Sequence, residues 1–299
     1  MTDVSPSSLK IAIGIATTGR RDVLADAIAF LARQTRRADA LIICPAKPDD
    51  VDITRLAEYG APVKVVSGPT GLPKQRNVIL DNTDADIVVF FDDDYLPAED
   101  FLAEMEAQFL ADPALAVLTG NVLVDGAHGP GLTFAEGVSI LAAARAPEKP
   151  FAVYPAYGAY GCNMAIRRKV AFEHDIRFDE NLPLYGWWED IDLSRRLLPY
   201  GRVMRSYGLR GVHLGSKNGR TSGKKLGYSQ VANMIYMARK GSISTGAAIK
   251  QIARNMTANH IKALKPEPWI DRAGRVQGNW KAIRELISGR LNPNRILEF

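Results

Sequence analysis

Residues 87–97 read Ile-Val-Val-Phe-Phe-Asp-Asp-Asp-Tyr-Leu-Pro: five apolar residues in a row, run directly into three adjacent carboxylates. An apolar run without alternation is a strand covered on both faces, as in a parallel sheet packed between helices. The pattern extends in both directions from it. Residues 9–18 read as a strand, and 20–34 as a helix with Val23, Leu24, Ala27, Ile28 and Leu31 at helical spacing. A second strand over 38–46 is halted by Pro45, a helix over 51–60 is stopped by Gly60, and 61–68 is a third strand. A loop from residue 71 runs into a helix ending near 83, and after the triplet come a helix over 98–112 and a strand over 115–124. This alternation predicts an α/β fold of Rossmann-like architecture, a mostly parallel central sheet flanked by helices.

After residue 125 the alternation breaks. Residues 126–160 are rich in Gly, Ala, Pro and Tyr, with a helix expected near 132–145. The stretch 161–180 reads as a strand followed by a helix, and the second part of 184–201 as helical. From about 224 onward two or three basic amphipathic helices are expected, joined to the rest without a clear linker. The expected organisation is a main domain over 1–223 with a helical extension over 224–299.

Net charge is +5, but its distribution is uneven. Residues 210–299 hold 17 Lys/Arg against 4 Asp/Glu, whereas the rest hold 21 against 29. Two stripes in this basic part, Ile249–Ile252–Met256 and Val276–Trp280–Ile283–Ile287, have helical spacing. They either pack inward or lie on an anionic membrane surface, and nucleic acid is not the expected partner. Cys44 and Cys162 have no metal-type spacing and read as reduced thiols of a cytosolic protein. The N-terminus carries Asp3, and the apolar run 11–16 is too short for a signal-peptide core with a cleavage site. No stretch approaches the ~20 apolar residues that cross a bilayer. The expectation is a cytoplasmic protein, soluble or peripheral on the inner face of the membrane.

Three clusters carry chemistry. In open α/β sheets ligands bind beyond the carboxyl ends of the strands, which is where Asp92, Asp93 and Asp94 fall. Three neighbouring carboxylates repel one another unless a cation compensates, and hard oxygen ligands suit Mn²⁺ or Mg²⁺ bridged to substrate phosphates. One carboxylate can then meet a nucleoside ribose and another the metal; the competing reading is a solvated acidic turn or a helix cap. In the loop that begins with Gly68 and Gly71, Lys74 and Arg76 can point into the same cleft and Asn77 can hydrogen-bond a base or order the loop, while Arg20 and Arg21 follow the first strand. The third cluster is Trp187-Trp188-Glu189-Asp190. Carboxylates at a helix start are favoured by the dipole, but capping does not explain two tryptophans. Aromatic rings beside acids fit a sugar, whose C–H faces stack and whose hydroxyls hydrogen-bond. One acid can take the proton of an attacking hydroxyl while the other holds a neighbouring hydroxyl for in-line attack. His213, in a loop with Lys217 and Arg220, is either a packed residue or a neutral imidazole completing a metal site.

In this order the segments resemble the family 2 glycosyltransferases with the GT-A fold, over about residues 9–215. The triplet and "WWEDIDLSRR" carry the resemblance, with "GCNMAIRR" between them and "GLPKQRN" before the triplet. It implies a D-x-D element with Asp92 toward the nucleoside and Asp94 on the metal, Mn²⁺ or Mg²⁺, joined by His213. It implies Asp190 as base and Glu189 as acceptor contact, with Trp187 and Trp188 beside the acceptor. Thr17, Arg20, Lys74, Arg76, Asn77, Asp92 and Asp93 form the expected donor-binding set. Many members carry an acid just after the second strand; here that place reads "CPAKPDD", with Asp49 and Asp50 further along. The processive members' Q-x-x-R-W element is missing, which points to transfer of one sugar. The expected reaction is inverting transfer from a nucleotide sugar, UDP-sugar favoured, to a saccharide or lipid-linked saccharide in polysaccharide or glycoconjugate biosynthesis. The alternatives are a metal-dependent nucleotidyltransferase acting on sugar phosphates, which has no use for the Trp-Trp-Glu-Asp cluster, and a non-enzymatic binding module.

Overall fold

The computed structural model describes residues 8–145 and 152–299; Asp3 and the 146–151 part of the Gly-, Ala-, Pro- and Tyr-rich stretch lie outside them. Strands β1 (Ile11–Thr17), β2 (Ala40–Pro45), β3 (Val63–Val65) and β4 (Ile87–Phe91) alternate with α1 (Arg21–Leu31), a 3₁₀ segment and α2 (Leu72–Asp81). They lie in the order β3-β2-β1-β4, all parallel. Then follow β5 (Tyr95–Pro97), α3 (Phe101–Ala111), β6 (Leu115–Asp125), α4 (Phe134–Ala143), β7 (Val153–Pro155), β8 (Asn163–Arg167), α5 (Arg168–Glu173), α6 (Glu189–Leu197) and β9 (Arg202–His213). The sheet continues β4-β8-β6-β9-β5, with β7 also paired to β9. β8 runs antiparallel to β4 and β6, and β9 runs parallel to β6. The result is the expected α/β architecture, its second half a mixed sheet.

β4 explains why the sheet sits between two helical layers. All five of its residues are buried. Ile87, Val89 and Phe91 point into a cluster with Leu24 and Ile28 of α1 and Leu102 and Met105 of α3. Val88 and Phe90 point the other way, against Ile79 and Leu80 of α2 and Leu193 and Leu197 of α6. Each large apolar side chain so buried contributes about 1.5–3 kcal/mol. A strand with both faces covered has no exposed side on which polar residues would alternate.

Local readings differ in three places. The helix expected over 51–60 is a 3₁₀ segment, Ile53–Tyr59. β-branched Ile53 and Thr54 open it and left-handed Gly60 closes it after seven residues. β5 and β7, three residues each, are too short to show a period. The short strand expected before His213 is the twelve-residue β9, and His213 is its last residue, not part of a loop.

The C-terminal part forms α7 (Gly223–Lys240), α8 (Thr245–Ala263) and α9 (Arg272–Ile287). Their apolar stripes split between two environments. Ile252, Met256 and Ile283 pack inward with Tyr228, Val231 and Ala282, while Ile249, Trp280 and Ile287 are exposed.

Candidate active site

β4 delivers the acidic triplet at its carboxyl end, and β9 delivers His213 beside it. In the register His213 lies opposite Tyr95 of β5 and opposite Asp125, the last residue of β6. A Cβ on Gly126 would come 2.0 Å from the Leu214 carbonyl oxygen, so only glycine lets the chains leaving β6 and β9 cross there. That crossing sets Asp125 Oδ1 2.8 Å from His213 Nδ1, while Asp125 Oδ2 accepts from the Tyr160 hydroxyl. The other ring nitrogen, Nε2, lies 3.2 Å from Asp94 Oδ1 and 3.8 Å from Asp92 Oδ2.

Asp92, Asp94 and His213 each offer a ligand atom, all within 4.8 Å of one another. Asp94 Oδ2 accepts from the Ser216 N–H at 2.7 Å, whereas its buried Oδ1 makes no hydrogen bond of good geometry among the described residues and faces only His213 Nε2 at 3.2 Å. A buried carboxylate oxygen left unsatisfied is costly; two carboxylates and an imidazole fit Mn²⁺ or Mg²⁺ at this point. Asp125 fixes the imidazole through Nδ1 from behind, which would leave Nε2 free to face a cation. The sequence reading missed Asp125. Its signal, an apolar strand ending in "DG", resembles that of the triplet.

The electrostatics favour a charged His213, not the neutral imidazole expected from the sequence. Burial lowers the His213 imidazole, but Asp125 and Asp94 outweigh it and hold it up at about 10. Burial pushes the Asp94 carboxyl up, yet His213 and Arg20 outweigh it and hold it down at about 2. A cation on Nε2 must therefore displace a proton, and that competition eases as pH rises toward 10. Apparent Mn²⁺ affinity is expected to climb with pH over the neutral range. Asp125→Asn is expected to weaken Mn²⁺ binding about 10–100-fold. Titration calorimetry of both proteins at several pH values checks both statements; a flat pH profile with unchanged affinity in the variant contradicts them.

Asp93 is buried and has a different set of partners. Thr17 donates its hydroxyl to Asp93 Oδ2 at 2.6 Å, and Arg20 donates to Oδ1 at 2.8 Å. Burial raises the Asp93 carboxyl to about 6 against the pull of Arg20. Arg20 also donates to the carbonyls of Ser216 and Asn218, and Arg220 to those of Gly215 and Ser216. The 215–220 loop is thus folded over the triplet and tied to α1. Asp50, which the sequence places far from the second strand's end, comes back through a 3₁₀ turn and accepts from the Gly19 N–H at 2.8 Å. An acidic side chain therefore does stand beside the end of β1.

The second acidic cluster opens α6. Leu184, Gly186 and Trp188 all have positive φ, 59°, 61° and 70°. For leucine and tryptophan this is strained by roughly 1–3 kcal/mol each. The turn is held from outside. The Leu184 carbonyl accepts from the Leu72 N–H, and Asn233 of α7 donates to the Trp187 carbonyl at 3.0 Å. Lys240, also on α7, lies 2.7 Å from buried Asp192 of α6 and pairs with Asp179. Trp187 and Trp188 are half-buried against Met234, Met237 and Ile252 of the extension, so part of each ring serves packing.

Asp190 Oδ2 accepts from the Gly161 N–H and Oδ1 from the Ile191 N–H, both at 2.8 Å. A Cβ on Gly161 would stand 3.0 Å from the Arg76 guanidinium and 3.3 Å from Asp190, which is why the backbone approaches so closely here. Burial raises the Asp190 carboxyl above its ordinary value and strengthens it as a proton acceptor. Glu189 is buried, pairs through Oε1 with Arg76, and leaves Oε2 without a hydrogen-bond partner.

Arg76 occupies a different place from the donor-facing one expected. It is 2% exposed and donates to Glu189, to Asp92 Oδ1 at 3.1 Å and to the Gly161 carbonyl at 2.8 Å. Its guanidinium thus joins the two acidic sets. Arg76→Met is expected to cost about 3–5 kcal/mol of stability, because Glu189 is left buried without a countercharge. The shift in urea midpoint measures it, and combining Arg76→Met with Glu189→Leu should recover much of the loss. Asn77 likewise turns inward: its amide donates to the Phe178 carbonyl and Glu180, and its oxygen accepts from the Phe178 N–H. Lys74, half-buried on the first turn of α2, makes no ion pair among the described residues.

A family model described as glycosyl transferase family 2 matches residues 12–173. No curated protein matches the chain in sequence. Among solved structures, the mannosyltransferase PcManGT from Pyrobaculum calidifontis, in complex with GDP-Man and Mn²⁺, is similar with a TM-score of 0.56 at 15% identity, covering 99% of this chain and 88% of that one. S. aureus TarS 1–349 in complex with UDP-GlcNAc gives 0.55 at 13%, covering 94% and 93%. GalNAc-T7 with UDP, GalNAc and Mn²⁺ gives 0.59 at 13%, covering 98% and 57%. The chain spans 44% of a longer TarS chain. At such identities the likeness is one of fold.

Proposed function

The chain belongs to glycosyl transferase family 2, and from that premise we propose that it moves a single sugar from a nucleoside-diphosphate sugar to an acceptor hydroxyl with inversion. The observation that carries this reading is the convergence of two acidic sets on one end of the sheet. Asp92, Asp94 and His213 can hold one cation, and Arg76 links Asp92 to Glu189, the neighbour of Asp190 at the start of α6. We read residues 1–223 as the catalytic domain and 224–299 as an extension that supports it.

In this reading Asp94 and His213, with Asp92 at the edge toward the nucleoside, hold Mn²⁺ or Mg²⁺, which when bound supplies positive charge to the leaving diphosphate. Arg20 keeps the 215–220 loop closed over the diphosphate. Thr17 and Asp93 stand beneath it as the floor of the donor site, and Lys74 faces it from α2. The acceptor saccharide lies against the exposed parts of Trp187 and Trp188. Glu189 Oε2 receives a hydroxyl hydrogen bond and orients the sugar. Asp190 takes the proton as the acceptor oxygen attacks the anomeric carbon from the face opposite the diphosphate. Two neighbours are described with UDP or UDP-GlcNAc and one with GDP-Man. They support a nucleotide-sugar donor, and we take a UDP-sugar as the first candidate.

The test is nucleotide release from a panel of UDP-, GDP-, ADP- and dTDP-sugars, with and without saccharide acceptors. One donor should turn over with Mn²⁺ or Mg²⁺ and be stimulated by an acceptor. The anomeric proton coupling of the product should show the configuration opposite to the donor's. Release from none of the donors with any acceptor, or a product of retained configuration, overturns the proposal.

A further inference from the structure

The outer surface of α8 and α9 carries large apolar side chains that the fold leaves uncovered. Ile261 is 63% exposed, Leu264 88% and Ile287 82%, with Ile249, Trp269 and Trp280 also exposed. Ile249, Ala253, Ile261 and Leu264 fall on one side of α8 by helical spacing, and Lys250, Arg254 and Lys265 flank them on the same exposed side. Residues 245–266 contain no acidic side chain. Trp280 of α9 donates its indole N–H to His260 of α8 at 2.9 Å, so the exposed stripe of α9 joins that of α8. An uncovered apolar surface edged by one sign of charge marks an interaction site.

The acids around it are already engaged, and five of its cations are not compensated among the described residues. Glu267 pairs with Lys262 and Arg272, Glu285 with Lys281 and Arg295, and Glu298 with Arg295. Asp271 caps the start of α9. Lys250, Arg254, Lys265, Arg284 and Arg290 make no ion pair among the described residues, and all five are exposed.

We propose that this face docks on an anionic lipid bilayer, with Ile249, Ile261, Leu264, Trp280 and Ile287 entering the headgroup boundary and the five cations meeting lipid phosphates. Exposed aliphatic side chains between cations suit the border of headgroup and acyl chain. A nucleic-acid backbone would use the cations and leave the aliphatic residues in water. No helix among the described residues is long and apolar enough to cross a membrane. The inner side of α8 touches the acceptor loop: Ala248 and Ile252 cluster with Trp187, Trp188 and Ile191. Lipid on the outer side would therefore lie about one helix diameter, about 10 Å, from that loop. The docking stands on the surface alone; its use, presenting the loop to a lipid-linked saccharide, rests on the transfer reading above.

The experiment is flotation of the full chain with vesicles of phosphatidylcholine alone and of phosphatidylcholine mixed with phosphatidylglycerol. The protein should float with the mixed vesicles only, and high salt should release it. Lys250→Ala, Arg254→Ala and Lys265→Ala should each weaken partition about fivefold, and Leu264→Asp about tenfold or more. Circular dichroism and gel filtration of each variant show that it is folded and unchanged in size. Equal recovery with neutral and anionic vesicles, or variants that float like the parent, overturns the proposal. So does a dimer that Leu264→Asp converts to monomer, which would make the face a contact between copies. Because flotation reads binding without turnover, a failed transfer assay leaves its outcome intact.

Discussion

Asp94→Ala is expected to abolish sugar transfer, with a loss of about 10³-fold or more, while the protein stays folded. The charge stabilisation a bound cation gives a leaving group is several kcal/mol, and each 1.36 kcal/mol is tenfold in rate. Asp94 stands at the centre of the candidate metal set: one oxygen is held by the Ser216 N–H and the other is buried and faces only His213. Removing it takes away the only carboxylate of the set that is fully buried, since Asp92 is partly exposed and shared with Arg76. Chelation of the parent protein should give the same loss, reversed by Mn²⁺ or Mg²⁺. The fold should survive with some loss of stability, because the Asp94 carboxylate, despite its burial, is held down at about 2 by His213 and Arg20 and accepts from the Ser216 N–H. Full turnover in excess chelator, or an Asp94→Ala protein as active as the parent, contradicts the assignment.

Asp190→Asn keeps the shape of the side chain and removes its basicity. The expected loss is about 10²–10⁴-fold in turnover, the usual size of general-base catalysis. Donor binding should change little, since Asp190 is tied to Gly161 and Ile191 and not to the metal set. Glu189→Gln is the control. Its Oε1 lies on Arg76, so amidation weakens a buried pair and should lower stability as well as acceptor affinity. Single-turnover rates and donor titrations separate the two. Normal turnover in Asp190→Asn together with a dead Glu189→Gln reverses the roles within the pair.

The first half of the fold was legible because its strands are covered on both faces, and uninterrupted runs such as Ile87–Phe91 leave no other reading. The end of that run places the triplet at the carboxyl edge of the sheet. What the sequence hides is pairing at a distance. Asp125 matters because β6 and β9 align it with His213, 88 residues away, and no local pattern carries that register. From the sequence Arg76 reads as a donor-facing cation of the loop before the triplet. Only the fold shows that α2 turns it inward, between Phe90 and Phe178, onto carboxylates from two other segments. The tryptophans illustrate a third limit. An aromatic pair before two acids fits a sugar, but the same rings are also the surface on which α7 and α8 rest. The basic stripes of the extension are only partly buried: Ile252, Met256 and Ile283 pack, while Ile249, Trp280 and Ile287 are exposed.

The central claim is that the cleft joining Asp92, Asp94 and His213 to Asp190 exchanges a sugar between a nucleoside diphosphate and a hydroxyl. Phosphorus NMR of the reaction, with mass spectrometry of the acceptor, tests it most directly. The account predicts nucleoside diphosphate appearing in step with acceptor heavier by one sugar, stopped by chelator and by Asp190→Asn. Pyrophosphate formed from a nucleoside triphosphate and a sugar phosphate, with no glycosylated acceptor, would contradict it.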